Sequence, residues 1–232
     1  MKKIALFLLC FFLIVSCQKQ KEENKIIIKE SQFDVNIQPL LDSGCVQEVY
    51  YLHCENSSDA QLHECREYVI VKSLGGFNKT VVECVYPKVI NYTEIKKEEV
   101  YIRNIGIDHF APTWLLVYDK GQFSYIKNKK ELKDFVYPID NEFEAVSYTS
   151  EATGSIPKFL LPDALKNYVL VPETYVIKDG DLFLVNLFNS EGGVCCGTDY
   201  IYYSILYKVT KDGKIQEMSR KNVGRIRNRA IA

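Results

Sequence analysis

The sequence predicts an α+β fold: antiparallel β-sheet with two short helices near residues 129–153, folded as a single disulfide-stapled domain. Three observations lead there. β-branched and aromatic runs recur between glycine turns, helical periodicity is confined to one stretch, and eight cysteines are distributed over 232 residues. Apolar residues make up 47% of the chain and charged residues 25%, a balance that builds a core and excludes a disordered chain. The formal charge of −1 gives no overall basic field, so nucleic acid is not an expected partner.

The N-terminus reads as a targeting segment. Lys2 and Lys3 precede an apolar run over residues 4–15, which is a basic n-region followed by an h-region. The run is shorter than the roughly 20 residues a spanning helix needs. It ends Leu13-Ile14-Val15-Ser16-Cys17, which resembles the lipoprotein box of bacterial lipoproteins. The resemblance implies cleavage before Cys17, diacylglycerol on its thiol and a further acyl chain such as palmitate on the new amine; the alternative is an ordinary secretory signal. Each buried methylene of such chains contributes about 0.8 kcal/mol, so several chains make a firm anchor.

Residue 18 is Gln, where many diderm lipoproteins retained at the inner membrane carry Asp. The stretch Gln18-Lys19-Gln20-Lys21-Glu22-Glu23 resembles the short Lys/Glu-rich surface signal of some lipoproteins of the Bacteroidota. These features imply a lipid-anchored protein of the outer membrane, on its periplasmic face or at the cell surface. Residues 17–32 read as a charged tether. Loss of Lys2 and Lys3 with the leader shifts the formal charge from −1 to −3.

Residues 33–221 carry the α+β domain, cysteine-rich to about 110. Tyr68-Val69-Ile70-Val71 and Thr80-Val81-Val82-Glu83-Cys84-Val85 read as a hairpin whose turn uses Gly75 and Gly76 at positive φ. Trp114-Leu115-Leu116-Val117-Tyr118 and Phe123-Ser124-Tyr125-Ile126 form a second hairpin around Asp119-Lys120-Gly121. Asn128 caps a helix with Leu132, Phe135 and Val136 on one face, stopped by Pro138. Asp140 or Asn141 caps the next, with Glu144 completing a capping box and Gly154 closing it. Residues 155–173, broken by three prolines, read as irregular with one helical turn near 163–168. Residues 181–188 and 200–209 read as strands, and Lys211-Asp212-Gly213 turns the chain into a last strand from about Lys214. A basic tail follows at 222–232. Two lobes meeting near residue 110 are the alternative to a single domain.

Six cysteines remain after the leader and anchor: Cys45, Cys54, Cys65, Cys84, Cys195 and Cys196. An even number in an exported chain reads as up to three disulfides with fifteen connectivities. A hairpin centred on residues 75–76 brings Cys65 near Cys84, which leaves Cys45 and Cys54 as a local loop closure. The vicinal Cys195-Cys196 forms either a strained ring or staples to the N-terminal half.

Two rival readings of the cysteines are zinc and redox chemistry. His53-Cys54 with His63-Glu64-Cys65 supplies N and S donors, but adjacent ligands on a strand point apart and no Cys-x-x-Cys is present. No cofactor or metal is expected. Asp108-His109 offers half of a triad for a hydrolase, with acidic residues near Glu191 as the other candidate for that chemistry and Cys195/Cys196 as a thiol-redox alternative. The Asp179-Gly180-Asp181 run reads as a turn rather than a calcium loop.

The most distinctive loop is Asn189-Ser190-Glu191-Gly192-Gly193-Val194-Cys195-Cys196-Gly197-Thr198. With Asp-Asn-Glu-Phe-Glu-Ala-Val-Ser-Tyr-Thr-Ser-Glu-Ala-Thr-Gly at 140–154, it resembles uncharacterised lipoproteins of the Bacteroidota, and that resemblance transfers a location without an activity. Gly192, Gly193, Gly197 and Tyr202 are the expected binding residues. Tyrosine pairs such as Tyr50-Tyr51 offer amphipathic contact area, although sheet packing is the commoner use. The expected function is therefore a binding or structural role in the envelope, with membrane lipid as a partner through Cys17 and an envelope protein or glycan as a second.

Overall fold

The computed structural model describes residues 24–87, 113–167, 171–192 and 199–226. Along the chain run β1 (Lys25–Ile27), α1 (Gln38–Asp42), β2 (Val46–Glu48), β3 (Tyr51–His53), β4 (Cys65–Val69), β5 (Thr80–Pro87), β6 (Thr113–Asp119) and β7 (Gln122–Ile126). Then come α2 (Lys129–Val136), α3 (Glu142–Thr153), α4 (Asp163–Lys166), β8 (Tyr175–Asp179), β9 (Leu182–Glu191), β10 (Tyr200–Thr210) and β11 (Ile215–Ile226). Strands β2 to β7 form a six-stranded meander, and the second sheet has the order β1-β8-β9-β10-β11. Every pairing is antiparallel. The two sheets, the two longer helices and two disulfides make one α+β domain.

The two helices carry the caps their sequences call for. Asn128 Oδ1 accepts the Glu131 amide at 2.9 Å, while Asn141 Oδ1 accepts those of Phe143 and Glu144. Glu144 reaches back to the Asp140 amide at 3.0 Å, so a capping box forms with its carboxylate one residue before the cap. Gly154, at φ 70°, ends α3 in the left-handed region, where a glycine has no Cβ clash.

Helix α3 lies inside the protein, with residues 145–151 all buried. One main core joins it to the inner faces of both sheets: Val81, Leu115, Val117 and Ile126 from the meander, and Phe183, Val185, Leu187, Ile205, Tyr207 and Val209 from the other. The alternate residues of the meander, Val82, Cys84, Trp114, Leu116 and Phe123, enter a second core under the N-terminal cysteine-rich segment. The meander is therefore apolar on both faces, which explains the unbroken apolar run of β6.

Three boundaries differ from the sequence reading. The tether is shorter than 17–32, because β1 pairs with β8 and Ile28 is buried; three successive isoleucines outweigh the flanking charges. The last strand extends to Ile226, so residues 222–226, Arg225 among them, belong to the sheet and not to a tail. Gly75 and Gly76 lie in a 3-10 turn, Lys72–Gly76, and are not among the positive-φ residues. They are needed for space instead. A Cβ on Gly76 would collide with the Phe143 carbonyl and Ser147 Oγ, and one on Gly75 with the Phe33 backbone.

Gly76→Ala should therefore destabilise the protein by about 3 kcal/mol, since both obstacles are held in the core. Gly121→Ala meets no neighbouring atom and strains only a turn at φ 84°, so it should cost about 1 kcal/mol. Urea midpoints of the two variants check the order; equal losses would contradict the crowding at Gly76.

Candidate functional site

The cysteine-rich segment covers the outer face of the meander through two disulfides. Cys45 and Cys54, nine residues apart, have Cα atoms 4.2 Å apart; Cys65 and Cys84, nineteen apart, are at 5.8 Å. All four are buried among Leu40, Leu52, Leu62 and Tyr68. Loops of these lengths contribute on the order of 3 kcal/mol each in the chain-entropy model. The pairing anticipated from the hairpin forms, although the register sets Cys84 opposite Tyr68 and Cys65 opposite Pro87.

These bonds consume the sulfur donors of the zinc reading. The imidazoles find other partners: His63 Nε2 lies 2.9 Å from the Ser57 carbonyl and His53 Nε2 is 3.7 Å from Glu48. Cys17, Cys195, Cys196, Gly193, Gly197, Asp108 and His109 lie outside the described residues.

At the flanks of the glycine and cysteine loop, Gly192 adopts φ 91°. Tyr202 is only 8% exposed and packs with Phe188, Leu161 and Leu165 in a third cluster, on the outer face of the five-stranded sheet. It is a packing residue, so the tyrosine expected to make contacts at this loop does not face solvent. Glu191 is spent on an ion pair with Arg220. Asp179, Gly180 and Asp181 make the tight β8–β9 turn, and Asp181 pairs with Lys211 at 3.1 Å.

Solvent-facing apolar residues concentrate elsewhere. Val46, Val49, Tyr50 and Tyr51 are 58%, 76%, 58% and 45% exposed, and all belong to the β2–β3 hairpin. Its register pairs Val46 with His53 and Glu48 with Tyr51, leaving Val49 and Tyr50 as a two-residue loop. Val49 sits at φ 54°, a region that two-residue hairpins reserve for Gly, Asn or Asp. The Gln47 side chain donates to the Val49 carbonyl at 3.0 Å, and the Cys45–Cys54 bond closes the base. The cap segment that carries the hairpin is acidic in sequence, with seven carboxylates and one arginine over residues 31–70; Lys72, just beyond it, lies close enough to Tyr50 to interact electrostatically. Sequence reasoning noticed Tyr50 and Tyr51 but had no signal for the valines.

A cleft of about 730 Å³ opens between residues 28–30 and the segment 158–173, lined by Lys29, Lys158, Lys166, Glu30 and Glu173 over an apolar floor. Its charges are largely matched: Lys158 pairs with Glu173 at 2.6 Å, Lys166 with Asp163 at 3.3 Å, and Glu30 with Lys72. Beneath the cap, the Tyr68 and Tyr125 hydroxyls share a hydrogen bond at 2.5 Å, and the hydroxyl that accepts in it donates its own proton to a carbonyl, that of Leu62 for Tyr68 or of Gln61 for Tyr125. Burial pushes the Tyr68 phenol up to about 12 and raises Tyr125 as well, by burial first and by its neighbour Tyr68 second. Among the described residues no cluster of three metal-ligating side chains occurs, and no helix is long and apolar enough to cross a membrane. No protein-family model, curated protein or solved structure matches the chain.

The raised tyrosines fix an alkaline limit. Below pH 10 both states keep the phenol proton and nothing changes; between 10 and 12 the unfolded chain releases the Tyr68 proton first, so stability falls with rising pH. The loss attributable to Tyr68 is on the order of 2 kcal/mol. Denaturation at pH 9 and 11.5 should show a shallower decline in Tyr68→Phe than in the parent.

Val49→Gly removes the positive-φ penalty and adds chain entropy to the unfolded state, and the first effect is larger. We expect a net gain of about 1 kcal/mol in urea unfolding. A loss would mean that Val49 is not strained.

Proposed function

We propose that this is an exported protein of the bacterial cell envelope, held at the outer membrane by lipid on Cys17, whose role is to bind a partner rather than to catalyse a reaction. The observation that carries the export is the pair of disulfides buried in the cap core. Structural disulfides belong to oxidising compartments and are rare in the cytosol. The leader ending in Ser16-Cys17 supplies the route and the attachment point. A binding role is supported by the solvent-facing apolar hairpin, because a concentrated apolar patch on an exported surface marks a contact site.

Metabolic labelling with an alkyne-palmitate tests the anchor. Label should appear in the parent and be absent from Cys17→Ser, with the parent sedimenting in the outer-membrane fraction and the variant released as a soluble precursor. Label retained by Cys17→Ser, or an unlabelled parent, would overturn the reading.

A further inference from the structure

Among the described residues the two sheets end in four edge strands, three of which are guarded. Strand β7 is flanked by α2 and by the 3-10 turn Ala60–Glu64. Strand β11 carries Arg220, Lys221 and Arg225 along its length and is broken by two register shifts. Strand β1 has three residues and begins with Lys25. Charges, bulges and short length are the devices that keep edges from pairing. Strand β2 is short, but its only charge is Glu48, and among the described residues no strand pairs with its outer side.

The hairpin is also shaped at a cost to stability. A β-branched residue occupies the one loop position where glycine would be unstrained, and it is the most exposed of the large apolar residues. The adjacent disulfide and the Gln47 contact hold the strand pair in place before any partner arrives, which lowers the ordering cost of binding.

We propose that the β2–β3 hairpin is a strand-docking site for an extended, cationic segment of a protein partner, one that alternates Lys or Arg with β-branched or aromatic residues. Backbone pairing along β2 supplies the register. Val46, Val49 and Tyr50 supply apolar contact, and the acidic cap sets the sign of the partner's charge, with a cation facing Glu48. This deepens the binding part of the proposed function and does not depend on the lipid at Cys17.

The test pans a phage library of random heptapeptides against the detergent-solubilised full-length protein. Peptides alternating Lys or Arg with Val, Ile, Thr or Tyr should be enriched at least tenfold, the enrichment should vanish in Val49→Gly/Tyr50→Ser, and Glu48→Lys should exchange the selected cations for Asp or Glu. Should a variant fail to fold, hydrogen exchange on the parent with the best peptide decides: protection over residues 46–51 supports the site and protection elsewhere overturns it. No enrichment, or enrichment indifferent to Glu48, overturns it as well. So does self-association lost in Val49→Gly, which would assign the hairpin to a second copy, or binding to phosphatidylethanolamine/phosphatidylglycerol vesicles unchanged by Glu48→Lys. An unlabelled Cys17 beside a positive panning result would remove the anchor and leave the docking site.

Discussion

The burial of α3 on every side is the constraint that the rest of the fold satisfies. Seven consecutive buried residues leave no solvent face, so polar side chains at 147–151 need partners inside the protein. The hydroxyls find backbone carbonyls: Ser147 donates to Ser73 at 2.6 Å, Tyr148 to Gly213 at 2.7 Å and Ser150 to Ser155 at 2.6 Å. An unmet group of this kind costs about 1–3 kcal/mol, more than a made bond returns. Each of these bonds ties a different loop to the helix. The Gly76 amide completes the first by donating to Ser147 Oγ at 3.0 Å, so the tight approach at Gly76 and the hydroxyl at Ser147 depend on one another.

A central helix of this kind separates the two sheets and leaves the outer face of the meander to be covered by something else. That cover is built from short elements: a five-residue helix and two three-residue strands. Strands so short have little stability of their own. The two disulfides add to the packing of the cap core on the order of 3 kcal/mol each. This reinforcement also explains why a strained, solvent-facing hairpin tip persists beside Cys45 and Cys54: the covalent link over-determines the loop.

The elements legible in the sequence are those with strong local signals. The β6–β7 hairpin, the two capped helices and the β9–β10 pair follow from alternation, Asn caps and glycine turns. The Cys65–Cys84 pairing followed from hairpin arithmetic although the register differed slightly, because a disulfide tolerates a range of Cα separations. What escaped was set by tertiary contact. Gly75 and Gly76 look like turn glycines until Phe33 and Phe143 are seen against them. Tyr202 reads as a strand tyrosine of either face, and only Leu161, Leu165 and Val171 packing with it decide that it is buried. Strands β2 and β3 are too short for alternation to register, so the hairpin that carries the exposed apolar surface was legible only through its two tyrosines.

The formal charge of −1 conceals a further division. On β11 the cations are answered locally, Arg220 by Glu217 at 3.0 Å and by Glu191, and Arg225 by Asp199. That edge is thus charged yet close to neutral, which repels strands without attracting a counter-ion. In the cap the balance is different. Glu64 reaches Lys127 only at 4.0 Å, a distance at which a solvated pair contributes little. Most cap carboxylates have no lysine or arginine in the same stretch of chain, with Arg66 the one such residue among 31–70. Whole-chain charge gives no basic field to draw a polyanion, and its distribution points to the opposite sign. The acidic cap carries the β2 edge, which among the described residues has no covering helix, bulge or basic side chain, so electrostatics and backbone pairing favour the same kind of visitor at the same place.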